Sequence, residues 1–444
     1  MFVGRKHELS VLNSAYEGTK PPFVILYGRN GIGKTTLLKE FSKDKSHIYY
    51  LGREYAKDEQ QRHFIPATEE VLSLVKTMPE QASGRICFLI DEFDQIYKGY
   101  KDFFADLAVL LTEEVWRERV MFVLCSSSIQ WIENEMVKAM GSLAMRITNF
   151  IKVKEFSFLE MVSRFPDSTT EECIAIYGLL GGVPAYLNQW NIKQSVKQNI
   201  IRLFLGTDAP MRHEAVHFLK LDLRELSIYN TILTVLAEDE YKLNYLYQRT
   251  GFSRAKISVY IKNLIELDVA HKIFSFEIDK KENIQKGLYG ISDNLVHFWY
   301  KFIYPNLSQA DWESPEEFYK DYIEPGLDDY LRLSYIRVCR EFLDLMNQYK
   351  KLPFEYTSIG SLYGKEGFIP LIAKSEAGEL LVGGCKWSLE PMNENEFNDL
   401  LTIMQKAGQE ADYYFLFSKG GFTRPLSVMA EGLTNVTLVD IESL

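Results

Sequence analysis

Short runs of apolar, β-branched and aromatic residues recur in the first 150 positions of the chain, and each run ends in polar residues. Three of them stand out, Phe23–Tyr27, the stretch within Arg85–Glu92, and Val120–Cys125. They are too short for typical helices and carry no polar position inside, which is typical of strands buried on both faces. The pattern therefore predicts an α/β fold with a parallel sheet.

A second pattern begins after residue 226, where apolar positions recur at helical spacing. We predict helices over Ile228–Leu236 and Leu243–Arg249, and a third over Arg254–Leu267 with Ser253 as its N-cap. Two β-like runs then surround the turn-prone segment Asp279–Lys281. This order of elements predicts a winged helix.

The first apolar run leads directly into Gly28–Thr35, which reads G-x-x-x-x-G-K-S/T. Such a loop lets backbone N–H groups surround a phosphate, while the lysine, here Lys34, reaches the β- and γ-phosphates and the hydroxyl of Thr35 meets Mg²⁺. A glycine-rich turn without a ligand is the alternative. The strand before the loop and the helix-like segment after it favour binding of a nucleoside triphosphate.

The other two runs end in residues that complete such a site. Asp91 is placed to hold the water shell of Mg²⁺, and Glu92 to polarise the water that attacks the γ-phosphate. Ser126, Ser127 and Ser128 follow the third run, where a hydroxyl can sense the γ-phosphate. Capping of the next turn is the alternative role for these serines.

Composition narrows the class of protein. The chain has 444 residues, enough for two to four domains, and its five cysteines show no paired spacing. No apolar signal core or apolar run of about 20 residues is present, so we expect a cytoplasmic protein. The net charge of −11 argues against broad, charge-driven binding to nucleic acid or membranes, although a local basic face stays open.

A local basic face is present in the predicted winged helix. From Glu240 to Asn263 one acid stands against five basic residues, Lys242, Arg249, Arg254, Lys256 and Lys262. A face that reads DNA has this composition, and so has an ordinary solvated helix face.

One motif points to different chemistry. His213–His217 spells H-E-x-x-H, which on a helix holds zinc with both histidines and uses Glu214 as general base. A third ligand is not evident, with Glu238 as an unremarkable candidate. The apolar positions within Met211–Leu226 instead predict an amphipathic linker helix.

Taken together, these residues resemble the archaeal and bacterial ATPases of the STAND branch of the AAA+-like P-loop proteins. Phe2–Arg5 with Glu8 looks like the family's N-terminal box near the adenine, and Leu180–Leu187 resembles its glycine–x–proline lid signature. The resemblance implies that Pro184 packs near the base, and that Arg146 is a charge-stabilising finger or a sensor, with an ordinary surface arginine as the alternative. Ser126 departs from the glycine usual at its position.

The C-terminal segment resembles the nuclease-like domain of the same ATPases, which has a PD-(D/E)XK fold. That chemistry needs two carboxylates for the metal and a lysine. Here Pro370 and Gly384 stand in place of the acids, Ile336 in place of a helix glutamate, and only Lys386 is kept. We expect a nuclease-like scaffold without nuclease activity, with the acids to suspect otherwise being Glu366, Glu376 and Glu379.

The resulting hypothesis is an α/β P-loop NTPase core with a parallel sheet, a helical lid, a winged helix and a small restriction-endonuclease-like α/β domain. The expected boundaries are 1–165, 166–225, 226–291, a helical connector at 292–335, and 336–444. We expect ATP binding with Mg²⁺ and slow hydrolysis that drives a conformational switch. The alternative is a DNA-binding or DNA-processing ATPase. A homo-oligomer or a protein partner is left open, and no membrane partner is expected.

Each expected role falls on named residues. Catalytic roles are assigned to Glu92, Lys34 and Arg146, and metal binding to Thr35 and Asp91. The residues assigned to nucleotide binding are Gly28, Asn30, Gly31, Gly33, Lys34, Thr35, Thr36, Ser127 and Pro184.

Overall fold

The structure, a computed structural model, describes residues 2–78, 84–238, 241–276, 287–365 and 367–444. The chain divides into two compact units. The first comprises Met1–Phe156 with Val183–Asn188, and the second comprises Ser157–Gly182 with Gln189–Leu444. No helix in the described ranges is both long enough and apolar enough to cross a membrane.

The first unit is built on a five-stranded sheet in which all neighbouring strands are parallel, in the order β2-β3-β4-β1-β5. Its strands are β1 (Phe23–Tyr27), β2 (His47–Leu51), β3 (Ile86–Asp91), β4 (Val120–Ser126) and β5 (Asn149–Lys152). Every residue of β1, β3 and β4 is buried, which explains their unbroken apolar sequences. The predicted parallel sheet is confirmed.

Helices flank this sheet and carry much of its aromatic core. The helices of the first unit are Lys6–Glu17, Lys34–Ser42, Lys57–Thr77, Phe93–Gly99, Phe103–Leu110, Glu114–Arg119, Ile129–Trp131, Val137–Met140, Pro184–Leu187 and the 3₁₀ helix Gly141–Arg146. Phe88 and Phe122 on neighbouring strands lie 5.8 Å apart between ring centroids, within a large cluster of buried residues. Because the sheet is parallel, the carboxyl ends of β1, β3 and β4 share one edge.

The second unit begins with helices and a small antiparallel sheet. Its helices up to residue 348 are Phe158–Val162, Thr170–Leu180, Val196–Ile200, Glu214–Asp222, Leu226–Leu236, Leu243–Thr250, Arg254–Glu266, Asn294–Phe298, Leu307–Trp312, Pro315–Phe318 and Glu324–Gln348. The sheet has the order β6-β8-β7, formed by β6 (Tyr241–Lys242), β7 (Ala270–Ile273) and β8 (Leu288–Ile291).

Several local predictions for this unit are confirmed. The three predicted helices after residue 226 are present, and the Ser253 side chain caps the third by accepting from the Lys256 N–H. The predicted turn Asp279–Lys281 lies outside the described residues. The helix predicted over Met211–Leu226 is present but shorter, since it runs from Glu214 to Asp222 and Glu225 takes a left-handed conformation with φ of 55° before the next helix.

A mixed five-stranded sheet closes the chain. Its strands are β9 (Tyr356–Tyr363), β10 (Phe368–Ser375), β11 (Leu380–Lys386), β12 (Tyr413–Ser418) and β13 (Val436–Asp440), in the order β13-β12-β11-β10-β9. The pairs β9–β10 and β10–β11 are antiparallel, whereas β11–β12 and β12–β13 are parallel. Each parallel pair needs a crossover, supplied by the helices Glu394–Lys406 and Arg424–Glu431. The α/β class predicted for the whole chain is confirmed.

Candidate functional site

The loop between β1 and the helix Lys34–Ser42 is shaped by its glycines. Gly31 and Gly33 have φ of 77° and 93°, in the region that favours glycine. At Gly28 the constraint is space, since a Cβ would collide with the Val153 carbonyl oxygen. The loop thus brings its backbone close to the helix N-terminus, where the N–H groups suit an anion.

Lys34 is the first residue of that helix, and its side chain turns back over the loop. Its ammonium donates to the Gly28 carbonyl at 2.8 Å, the Arg29 carbonyl at 3.1 Å and the Ser127 hydroxyl at 2.8 Å. The residue is only 5 % exposed. Among the described residues no carboxylate forms an ion pair with it, so a buried positive charge is held by neutral oxygens.

An oxygen-rich group lies beside this lysine. The Thr35 hydroxyl donates to the Asp91 carboxylate at 2.7 Å, and the Tyr49 hydroxyl donates to the same oxygen at 2.9 Å. Hydroxyl and carboxylate oxygens are the ligands that Mg²⁺ takes in nucleotide sites, so this pair fits that ion. Burial and the Asp91 charge raise the pKa of Tyr49, which keeps its hydroxyl protonated as a donor.

Glu92 follows Asp91 in a left-handed conformation, with φ of 51°. Its carboxylate accepts from the Ser127 N–H at 3.0 Å and from the Ser127 hydroxyl. Burial raises the pKa of the Glu92 carboxyl, while the Ser127 hydrogen bonds and the Lys34 charge oppose that rise. A carboxylate with a raised pKa is better matched to accept a proton near neutral pH.

Ser126, the departure from the family pattern, has a different environment from Ser127. It is fully buried, and its hydroxyl donates to the Asp94 carboxylate at 2.6 Å and accepts from the Ser128 N–H at 3.0 Å. Ser126 therefore ties the end of β4 to the helix Phe93–Gly99. Of the three serines, Ser127 is the one that the structure brings to Lys34 and Glu92.

The lid signature reaches the loop through Val183–Asn188. The Ala185 N–H donates to the Gly31 carbonyl at 3.2 Å, and a Cβ on Gly33 would lie 3.7 Å from Pro184. The Tyr186 hydroxyl accepts from Arg29 at 3.0 Å. Pro184 thus lies beside the phosphate-type loop, with Tyr186 as a neighbour that the sequence motif did not indicate.

The N-terminal box supports the loop from another side. Arg5 is buried and donates to the Ile32 carbonyl at 3.0 Å, forms an ion pair with Glu8 at 3.3 Å, and stacks over the Phe156 ring. Buried arginines of this kind fix a backbone in place, because the fork satisfies carbonyl and carboxylate oxygens together.

The remaining predicted residues lie at the margin. The Asn30 side chain accepts from the Gly31 N–H at 2.8 Å, and Thr36 is exposed on the helix that follows the loop. Arg146 is exposed at the end of its 3₁₀ helix, and within the described part of the chain it forms no hydrogen bond or ion pair. Among the described residues, therefore, Arg146 makes no polar contact with Lys34 or Glu92.

The H-E-x-x-H motif and the basic region lie elsewhere in the chain. Within the described ranges no three histidines, cysteines or acids gather so as to hold a metal ion, and His213 precedes its helix, so a zinc-protease site has no support.

In the basic region Arg249 pairs with Glu238 at 2.7 Å and Lys262 with Glu266 at 3.4 Å. Two of the five counted cations are thus neutralised locally.

The C-terminal sheet brings the nuclease-motif positions together. Ile336, Pro370, Gly384 and Lys386 line one cavity of about 300 Å³. The Lys386 ammonium lies 2.9 Å from the Glu396 carboxylate, a partner not identified from sequence. Glu376 and Glu379 lie in the turn between β10 and β11, and Glu366 lies outside the described residues.

Known proteins match the chain in two segments. Residues 24–148 match the family described as ATPases associated with various cellular activities (AAA). Residues 299–399 match a family described as archaeal and bacterial proteins of unknown function (DUF234). The first match supports ATP binding and hydrolysis, and the second assigns no activity to the segment that it covers.

Individual relatives are similar over different lengths. An uncharacterized protein of Methanocaldococcus jannaschii is 28 % identical over 384 residues, 85 % of each chain. An uncharacterized ATP-binding protein of the same organism is 47 % identical over 45 residues, 10 % of this chain and 76 % of the relative. Among solved structures, the Walker-type ATPase of Pyrococcus abyssi is 17 % identical, with 67 % of this chain and 96 % of that one covered at a TM-score of 0.46.

Removing the Ser126 hydroxyl tests its structural role. In Ser126→Ala the buried Asp94 carboxylate loses one donor, so we expect the free energy of unfolding to fall by about 1–3 kcal/mol. Ser128→Ala, whose side chain makes no capping bond, is the matched control and is expected to change stability by about 0.5 kcal/mol or less. Urea denaturation of both variants measures the difference. Equal stability of the two variants would show that the Ser126–Asp94 bond contributes nothing.

Proposed function

We propose that the chain binds ATP with Mg²⁺ at the loop Gly28–Thr35, hydrolyses it slowly, and uses the cycle as a conformational switch in the cytosol, as a member of the STAND branch. The observation that carries this proposal is the meeting of Lys34, the Thr35–Asp91 pair and the Glu92–Ser127 pair at one edge of the parallel sheet. The match of residues 24–148 to the AAA family supports the nucleotide and the reaction.

Each part of the site has a task that its geometry supports. Lys34 supplies the positive charge for the phosphates, and its present partners are neutral oxygens that a phosphate oxygen can replace. Thr35 and Asp91 are the residues that would hold Mg²⁺, which neutralises charge on the phosphate oxygens. Glu92 orients the attacking water and takes its proton, with Ser127 fixing the carboxylate.

The switch depends on contacts that the loop makes with Val183–Asn188. This segment belongs to the first unit, whereas the chain on either side of it belongs to the second. A shift of Gly31 or Arg29 on nucleotide exchange would be felt by Ala185 and Tyr186 through their hydrogen bonds. We infer that this segment is the element whose position follows the nucleotide, as the lid resemblance implies.

The C-terminal sheet is proposed to be a nuclease-like scaffold without the nuclease reaction. The strand order supports the scaffold, with three antiparallel strands continued by two parallel ones. A carboxylate at position 384 would require the Leu400 side chain to move, because a Cβ on Gly384 would lie 2.6 Å from Leu400 Cδ1. Lys386 is paired with Glu396, so its charge is already satisfied without a metal-bound water.

The DNA-directed alternative receives less support. The predicted winged helix keeps Arg254 and Lys256 on its third helix, but Arg249 and Lys262 are paired with acids. The net charge of −11 also weakens the long-range attraction on which binding to phosphate backbones depends. Stimulation of ATP turnover by duplex DNA, with a steep salt dependence, would favour the alternative.

Lys34→Ala tests the binding site. Removal of the buried ammonium leaves the phosphates without a cation, so we expect ATP affinity to fall about tenfold or more and turnover to disappear. Isothermal titration with MgATP measures the affinity, and circular dichroism checks that the fold is kept. Lys39→Ala, an exposed lysine on the same helix, is the control and should bind like the wild type. Wild-type affinity in Lys34→Ala would refute the assignment.

Glu92→Gln separates binding from hydrolysis. The amide keeps the size of the side chain but cannot accept the water proton, so turnover should fall by about 10²-fold while ATP still binds and raises the melting temperature. In the wild type, turnover should decline on the acid side as Glu92 is protonated at its raised pKa. Exposed Glu135→Gln is the control. Turnover at the wild-type rate in Glu92→Gln would exclude Glu92 as the base.

The expected lack of nuclease activity is tested on plasmid and single-stranded DNA with Mg²⁺ or Mn²⁺, with and without ATP. Both substrates should stay intact, because Pro370 and Gly384 offer no carboxylate to a metal. Cleavage that co-purifies with the protein and is lost in Lys386→Ala would show that other acids rebuild the site.

A further inference from the structure

A cavity of about 680 Å³ lies within the second unit, and it shares Ile336 and Pro370 with the smaller cavity that holds the positions compared with a nuclease motif. Its walls come from β7, β8, β9, β10 and the helix Glu324–Gln348. This volume lies in the range of small-molecule sites, about 300–1,000 Å³. None of the roles assigned above uses the cavity.

The cavity is positively charged although the chain as a whole carries −11. The cations on its walls are Lys272, Lys301, Arg332, Arg337 and Arg340, against two acids, Glu238 and Asp329. Both carboxylate oxygens of Glu238 accept hydrogen bonds from Arg249, at 2.7 and 2.9 Å, so the charge of Glu238 is neutralised by Arg249. The walls therefore hold an excess of positive charge.

Within the described ranges Arg337 and Lys301 donate to neutral oxygens, whereas Arg340 lies 3.9 Å from the Asp344 carboxylate. Arg337 donates to Asn294 Oδ1 at 2.6 Å and to the Ile291 and Ser292 carbonyls at 3.2 Å, and Lys301 donates to the Glu238 carbonyl. Arg332 has no hydrogen bond or ion pair within the described ranges. Arg337 and Lys301 are half-buried, whereas Arg332 is exposed. Since a half-buried cation without an anion is unfavourable, Arg337 and Lys301 suit an anionic ligand.

Part of the lining is apolar and aromatic. Phe274 and Phe368 are 51 % and 41 % exposed, which is unusual for phenylalanine, and the Phe368 ring lies 5.2 Å from that of Tyr363. A planar ring that stacks on these side chains would cover them. His271 and His297 also line the cavity, and burial lowers the pKa of the two rings to about 4 and about 3, so they offer neutral hydrogen-bonding groups.

We propose that this cavity binds a mononucleotide, with its phosphate on Arg332, Arg337 and Arg340 and its base on Phe368 and Tyr363. The combination of adjacent cations and exposed aromatic rings is what a phosphate joined to a planar base requires. Nucleic acid is the less favoured ligand, because a duplex needs a contact area of about 1,000 Å² or more and a protein field that attracts it from a distance. The site is distinct from the loop Gly28–Thr35 and stands whether or not that loop binds ATP.

The test uses the full chain carrying Lys34→Ala, so that nucleotide binding at the loop Gly28–Thr35 contributes as little as possible to the measured binding. AMP, GMP, CMP and UMP are titrated by equilibrium dialysis, with pyrophosphate and a 20-base-pair duplex as further probes. We expect at least one mononucleotide to bind with a dissociation constant of about 1 mM or less. Adding Arg332→Ala and Arg340→Ala, both exposed, should weaken binding about tenfold or more. Phe368→Ala should weaken mononucleotides but not pyrophosphate.

The control removes two exposed cations outside the cavity, Arg224→Ala with Lys262→Ala, and should leave binding unchanged. Absence of mononucleotide binding at 10 mM would overturn the proposal. So would binding that ignores the Arg332 and Arg340 changes, since it would reflect residual occupancy of the loop. Duplex binding that depends on these arginines, without mononucleotide binding, would assign the cavity to nucleic acid and also overturn it.

Discussion

The site depends on one buried charge. Lys34 is almost fully buried, and its ammonium donates to two carbonyl oxygens and one hydroxyl, with no carboxylate partner among the residues that the structure describes. A buried charge with only neutral partners is costly, and a phosphate is the ligand that would compensate it best. The glycine-rich loop, the helix N-terminus and the hydroxyl of Ser127 all surround this amine.

The parallel sheet makes that arrangement possible. Strands β1, β3 and β4 end at the same edge of the sheet. Residues that are far apart in sequence therefore lie within hydrogen-bonding distance of one another there. Ser127 forms hydrogen bonds with both Lys34 and Glu92, so it connects the proposed phosphate-binding cation to the proposed catalytic carboxylate. The left-handed conformation of Glu92 is a local strain, and such strain is typical of functional positions.

The sequence was informative where a residue's role is set by its neighbours in the chain. β1, β3 and β4 were predictable because both of their faces are buried. β2 mixes exposed and buried positions, and β5 has only one buried residue, Ile151, so neither carries such a run. The loop and Asp91–Glu92 followed from a motif. No motif indicated Tyr49, Asp94 or Glu396. Each of them forms a side-chain hydrogen bond with a residue that is distant in sequence.

The same limit applies to the helix break at Glu225 and to the cationic cavity. A glutamate with positive φ has no local signal in the sequence, and tertiary packing alone selects that conformation. The cavity gathers side chains from residues 236 to 371, so its charge appears only once the fold is known. By contrast, the sequence alone showed that Pro370 and Gly384 stand where the nuclease resemblance would place acids, and the structure adds that a Cβ on Gly384 would lie 2.6 Å from Leu400 Cδ1.

The most direct measurement of the central claim is a crystal structure of the protein with Mg²⁺ and a non-hydrolysable ATP analogue. We expect phosphate density against Lys34 and the N–H groups of Gly31–Thr35, with the metal bound by Thr35 and close to Asp91. An analogue bound elsewhere, or a metal away from Thr35 and Asp91, would contradict that claim.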